Sequence, residues 1–262
     1  MLTRILTVAL CLGMLVGCSE NDTTNSEQLQ GTASVSYETN NVPTEDGAEH
    51  LESPYIVGDS FVTSNKEQYE KYQALKEDAL KRASEITEEN AESYGTVDNI
   101  TWLLKDGILV FRGTGKLERS TEFPWWKLSS DFGNSVNIIV IDEGITEIGE
   151  KVTATTIRKL DALIFPESLK SIESYAFTDS FSIKSVFFPD TEVAVADSAM
   201  IGNSLEYIDL GKSRWETISD VMRNNLVAVT MSSTHSDYVM KKDAIYTRDM
   251  ETVVRIVDMT AE

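Results

Sequence analysis

The chain has 262 residues, with 43 Asp and Glu against 23 Lys and Arg and a formal net charge of −20 at pH 7. Contact with phosphate needs clustered Lys and Arg, so this balance argues against a nucleic-acid partner and against docking on anionic lipid headgroups. The plainest use of such acidity is to keep a folded chain soluble. Both cysteines, Cys11 and Cys18, lie near the N-terminus. The rest of the chain holds no thiol, disulfide or Cys-based metal site, so its fold must rest on packing.

Residues 1–17 read as a signal peptide. Arg4 supplies a positive start, and the apolar run Ile5 to Val16 is too short to span a membrane comfortably. It ends in Leu15-Val16-Gly17-Cys18, which resembles a lipobox, the cleavage signal of bacterial lipoproteins. That resemblance implies cleavage before Cys18, with diacylglycerol in thioether linkage on its sulfur and acylation of the new amine. Several buried acyl chains make a stable membrane anchor. From Cys18 to Val62 the chain is expected to be a disordered tether. Ser19 to Val62 carries nine acidic residues and no Lys or Arg, is rich in Ser, Thr and Asn, and has no apolar period.

Residues 63–95 read as an amphipathic helix. Ser64 and Glu67 have capping-box spacing, and Tyr69, Tyr72, Leu75, Ala79, Ala83 and Ile86 recur at three- and four-residue steps. Such a helix either lies on the domain that follows or binds a partner. Residues 96–135 read as an N-terminal cap built on a hairpin, with Trp102 and Leu104 before the turn Lys105-Asp106-Gly107, and Ile108 and Val110 after it. Phe123-Pro124-Trp125-Trp126 follows. Tryptophans can stack on sugars, but neighbours on a strand point to opposite faces, so at most one would serve such a platform.

From Val136 to Met231 the chain repeats. The pattern apolar, two others, apolar, one other, apolar begins at Val136, Leu160, Ile183, Leu205 and Leu226, with start-to-start spacings of 24, 23, 22 and 21 residues. These spacings lie in the leucine-rich range of roughly 20–29 residues. The first half of each copy alternates like a strand, and the second half is expected to return the chain through a bend or short helical turn. Ile145 and Ile148, Leu169 and Ile172, Ala176-Phe177, and Ala199-Met200 mark the second halves. One coil cannot bury its own apolar edge, so coils must stack and share a core. Glu192 and Arg214 fall where Leu169 stands in its copy, which predicts irregular third and fourth coils. Residues 136–235 therefore form the repeat block, and 236–262 a C-terminal cap, with Tyr238 to Ile256 as a closing hairpin.

The Phe165-Pro166 and Phe188-Pro189 steps, Ser168 to Phe177 and Glu143 to Glu150 resemble the BspA-like leucine-rich repeats of bacterial cell-surface proteins. The resemblance runs from about Trp102 to Ile256 and implies adhesion or protein binding, to a host or bacterial ligand. The expected fold is an α/β repeat solenoid: a short leucine-rich stack with a strand ladder, β-hairpin end caps and one N-terminal helix.

Within the strand motifs the intervening residues point away from the core. Ile138, Val140, Ile164, Phe187 and Tyr207, with Asp209, make that face unusually apolar for a wet surface. An exposed apolar face usually marks a contact site, so these six are the expected ligand-binding surface, unless the Ser64 helix folds back and covers them. No phosphate loop, zinc spacing or calcium loop appears, so no metal or cofactor is expected. His235-Ser236-Asp237 is a local cluster rather than a triad. The expectation is a non-enzymatic, monomeric surface lipoprotein, held to the membrane by its lipid anchor and binding a protein. A structural lipoprotein that binds another envelope component is the second reading.

Overall fold

The computed structural model describes residues 55–63, 66–126, 130–153, 157, 159–178, 183–200, 204–218, 226–241, 244–250 and 253–256. The signal sequence, Cys18, most of the proposed tether, the Ser64 cap and Val221-Met222, which fall near the place of the Ala176-Phe177 pair in the fourth copy, lie outside them.

In chain order the elements are β1 (Tyr55–Val57), β2 (Ser60–Thr63), α1 (Lys66–Ser84), β3 (Ser93–Val97), β4 (Ile100–Lys105), β5 (Ile108–Gly113) and β6 (Gly115–Leu117). A 3-10 turn (Pro124–Trp126) and a six-residue α2 (Ser130–Ser135) follow. Eight strands then follow: β7 (Ile138–Ile141), β8 (Ile145–Ile148), β9 (Leu160–Ile164), β10 (Ser171–Ile172), β11 (Ile183–Phe187), β12 (Ala194–Val195), β13 (Tyr207–Asp209) and β14 (Arg214–Trp215). After β15 (Ala228–Ser232), the strands β16 (Tyr238–Lys241), β17 (Ala244–Thr247) and β18 (Val253–Ile256) end the described chain.

The repeats stack. Strands β7, β9, β11, β13 and β15 run parallel, with Ile139 beside Leu163, Leu163 beside Val186, Val186 beside Ile208 and Ile208 beside Val229. The residues predicted to face inward on these rungs are buried, from Val136, Ile139 and Ile141 through to Leu226, Val229 and Met231. They meet Ile145, Ile148, Leu169, Ile172, Ala176 and Phe177 from the other side of each coil, in one continuous core. Burying each such side chain is worth about 1.5–3 kcal/mol before conformational entropy is set against it.

Several expectations need correction. The fold is mostly β rather than α/β, because each coil returns through a short strand instead of a helical turn. Strands β6, β8, β10, β12 and β14 form a second parallel sheet, so a coil has two strands and the core lies between two sheets. The opening hairpin does form, its two-residue Asp106-Gly107 turn having both residues at positive φ. Its second strand also becomes a rung, since β5 pairs in parallel with β7 and β6 with β8. Trp125 is no sugar platform. It is buried in the 3-10 turn, stacks on Phe123 with centroids 4.5 Å apart, and donates its indole N–H to the Val152 carbonyl at 3.1 Å. The Trp126 side chain lies outside the described residues.

The irregular coils also differ from the fixed-offset reading. In the third coil Val193, one place after the exposed Glu192, fills the inner site that Leu169 fills in the second. In the fourth, Arg214 pairs with the outward-facing Ala194, and Ser213 takes the inner site with its hydroxyl donating to the Leu210 carbonyl at 2.7 Å. That coil is shorter, and its backbone runs close to its neighbour at Gly211, where a Cβ would lie 1.9 Å from the Pro189 carbonyl oxygen.

The N-terminal part holds the largest surprise. The tether expected through Val62 ends sooner, because β1 and β2 form a hairpin and β2 pairs antiparallel with β15, the last rung. The helix expected over 63–95 spans Lys66–Ser84, and Ser93–Val97 is strand β3 instead. The main sheet thus has ten strands in the order β1-β2-β15-β13-β11-β9-β7-β5-β4-β3. At the other end, β16, β17 and β18 form a separate three-stranded antiparallel sheet where a two-stranded hairpin was expected.

Candidate interaction surface

The outer face of the ladder is not open. Ile138 is 7% exposed, Val140 1%, Ile164 2%, and Phe187 and Tyr207 0%. They form a second core with Tyr72, Ala79, Ala83 and Ile86 from α1 and the turn after it. The expectation that these five make a free ligand-binding surface is therefore overturned, because the chain's own helix covers them. Asp209 alone of the six reaches the rim, with its side chain 17% exposed.

Simple geometry explains the cover. Tyr72 stacks on Tyr207 of β13 with centroids 4.4 Å apart and an interplanar angle of 12°. The last turn of α1 is held by Arg112 of β5. From β13 to β5 there are four strand steps of about 4.8 Å, or roughly 19 Å. From Tyr72 to Ala83 a helix rises about 17 Å. One helical turn therefore advances by about one rung, and a single apolar stripe stays in register with the ladder. Ala79 and Ala83 have no bulk beyond Cβ, so the helix backbone can lie close to the sheet.

Two polar clamps hold the ends of α1. At its C-terminus the Arg112 guanidinium donates to the Ala83 and Ile86 carbonyls at 2.8 and 2.5 Å and to the Asp142 carboxylate at 2.6 Å. A helix leaves its last carbonyls unsatisfied, and a cation there also suits the helix dipole. Toward the N-terminal half, Gln73 donates to the Tyr207 hydroxyl at 3.0 Å, and that hydroxyl shares a 2.9 Å hydrogen bond with Thr230. The Tyr72 hydroxyl donates to Glu206 at 3.4 Å. Lys76 lies 3.9 Å from the Asp209 carboxylate and 5.5 Å from the Phe187 ring centroid. Burial, with the Glu206 charge adding to it, pushes the Tyr72 phenol up to about 12. Burial likewise raises the Asp209 carboxyl above its ordinary range, against the opposing pull of Lys76. Arg112 escaped the sequence reading because its partners lie far along the chain. Its one signal was an arginine at the end of the apolar run Ile108 to Phe111.

His235 is fully buried and spent on structure. Its Nε2 bonds the Ser213 carbonyl at 2.9 Å, while Nδ1 accepts from the Asp237 and Tyr238 amides at 3.1 and 3.4 Å. A nitrogen that accepts from two backbone amides carries no proton, so the ring is neutral with its hydrogen on Nε2. Burial, opposed by the Ser213 bond, lowers its pKa. Asp237 pairs with Arg214 at 3.0 Å instead of with the imidazole. His235-Ser236-Asp237 thus lacks the geometry of a catalytic triad.

Part of the acidity is structural too. The Glu143 carboxylate accepts from the Glu167 and Ser168 amides of the next coil at 2.9 and 3.0 Å. Glu173 accepts from the Glu150 amide at 3.2 Å and from Lys116 at 2.7 Å, and Glu216 accepts from the Asp197 amide at 3.0 Å. Carboxylates at coil corners thus satisfy donors that the stacked strands leave over. Among the described residues no group of His, Cys, Asp or Glu is placed to hold a metal ion.

Stacked coils of parallel strands, with an aliphatic ladder repeating every 21 to 24 residues, define a leucine-rich repeat solenoid. Residues 130–247 match the BspA type leucine rich repeat region in six copies. It is also similar to a leucine-rich repeat protein from Eubacterium ventriosum of known crystal structure, at 19% sequence identity and a TM-score of 0.38, over 59% of this chain and 48% of that one. The chain thus spans about half the length of that protein. Among curated proteins none matches it.

Proposed function

We propose that this chain is a bacterial envelope lipoprotein, anchored through Cys18, that presents its repeat domain for binding another protein. The observation that carries the reading is the stacked solenoid itself: a broad, rigid surface whose best candidate for chemistry, His235, has both ring nitrogens tied to backbone. The match to a repeat family favours binding over catalysis, since such folds offer extended surfaces rather than reaction pockets. The lipid anchor rests on the Leu15-Val16-Gly17-Cys18 sequence.

Two readouts on the full-length chain test it. Cells fed a labelled fatty acid should label the wild-type chain and not Cys18→Ala; equal labelling of both, or of neither, removes the anchor. Photo-crosslinking on intact cells should yield a saturable protein adduct that excess unlabelled chain competes away. Adducts that never saturate would count against a binding role.

A further inference from the structure

We propose that the free edge of β3 is the docking site, and that it takes an extended strand from a partner whose flanking residues are basic. This rests on the protein-binding reading above and says where the partner sits. β3 ends the ten-stranded sheet and, at five residues, is the longest strand with an unpaired side among the described residues. The other outer strand of that sheet, β1, has three residues.

The register shows which groups are free. Val97 pairs with Ile100 across the two-residue Asp98-Asn99 turn. In such a hairpin the closing pair is hydrogen-bonded, and bonded and non-bonded pairs then alternate. Val97, Gly95 and Ser93 therefore bond to β4, and the N–H and C=O groups of Tyr94 and Thr96 point away from the sheet. Natural proteins blunt exposed edges with proline, lysine or very short strands. Ser-Tyr-Gly-Thr-Val at 93–97 carries neither residue and no charge. On the core side the strand is sealed, with the Trp102 ring 3.0 Å from where a Gly95 Cβ would stand. On the helix side Tyr94 is 51% exposed and offers a ring to an added strand. An edge of this kind is extended by main-chain pairing.

Charge selects the partner. Glu88, Glu89 and Glu92 precede the strand and Asp98 follows it, all exposed. The basic groups near them are Lys105 and Arg82, and Arg82 is engaged with Asp78 and the Asp106 carbonyl. A second copy would bring the same acids and a net charge of −20 to the contact. A strand flanked by Lys or Arg meets the edge without that repulsion.

The test uses the full-length chain and two synthetic peptides, each with a Thr-Val-Thr-Val-Thr centre, one flanked by paired lysines and the other by paired glutamates. Amide exchange at Tyr94 and Thr96 should slow with the lysine peptide, which should bind at least tenfold more tightly than its glutamate twin. Thr96→Pro removes one outward amide and no backbone bond to β4, losing on that side only the exposed hydroxyl contact with Thr101 at 3.0 Å, so it should abolish the effect with the thermal midpoint nearly held. If that variant unfolds, Tyr94→Lys should weaken the lysine peptide at least fivefold. No slowing at these two amides, or equal binding of the two peptides, overturns the proposal. If the cellular adduct survives in Thr96→Pro, protein binding stands and the edge assignment falls. If the lysine peptide binds but wild-type cells give no adduct, the binding role falls instead.

Discussion

The two faces of the ladder are built on opposite logics. The inner face is filled by residues that recur along the chain, so Leu163 meets Val186 and Val186 meets Ile208 at nearly constant separation. The outer face is filled by a single helix brought from outside the repeats, and Tyr72 stacks on Tyr207 across 135 positions of sequence. The first core follows from periodicity alone. The second depends on one match, between the rise of a helical turn and the spacing of parallel strands. It also closes the molecule on itself, since the hairpin before α1 pairs with the last rung and the strand after it leads into the first.

The comparison can be broken first from the inside. Leu163→Ala should cost roughly 3–5 kcal/mol, because a rung between two others has little room to collapse. Denaturant unfolding followed by circular dichroism should show one cooperative loss. A change under 1 kcal/mol would mean that the coils do not share a core. The outer face should yield less. Arg112→Ala removes two charged hydrogen bonds to the end of α1 and one to Asp142, at an expected cost of roughly 2–3 kcal/mol. Hydrogen exchange should then rise in residues 78–86 ahead of the rungs. Equal acceleration in both would show that helix and ladder form one unit.

These costs also explain how much could be read beforehand. The rungs were legible because each is local and repeats, and the five apolar face residues stood out as a contact face, although a partner was expected where the helix lies. Which cover they had was not legible, because α1 lies far from the rungs in sequence and its charged outer face suits solvent as well as a partner. Strands β1 and β2 were hidden by composition: Tyr55-Ile56-Val57 and Phe61-Val62 are short β-forming runs inside an acidic segment, and β15, the partner of β2, lies some 170 residues away. Return strands such as β10, Ser171–Ile172, are too short to show a period of two. The fixed offset that misplaced Arg214 failed because the fourth coil is shorter.

A smaller effect comes from His235. Its folded pKa lies below 6.5, the ordinary value, so the unfolded chain binds more protons in the interval between the two. Stability should therefore be full above about pH 6.5 and fall as pH drops through that interval. His235→Gln, whatever its cost at pH 8, should flatten the slope of the thermal midpoint between pH 6.5 and 5. An unchanged slope would assign the acid sensitivity elsewhere. The smallest change should be a gain. Lys151, Tyr175 and Ser198 occupy equivalent corners of successive coils with φ of 50°, 57° and 59°. Tyr175 is 44% exposed there, so Tyr175→Asn should add about 1 kcal/mol by easing a left-handed backbone. No rise in the midpoint of unfolding would mean that the tyrosine ring repays the strain.

The central claim is that α1 occupies the ladder face in the folded protein. Hydroxyl-radical footprinting of the full-length chain, read residue by residue in the mass spectrometer, tests it most directly. Phe187 and Tyr207 should stay unmodified while Tyr94 and Tyr175 react readily. Modification of Phe187 and Tyr207 at rates matching Tyr94 would show the face open to solvent and the helix elsewhere.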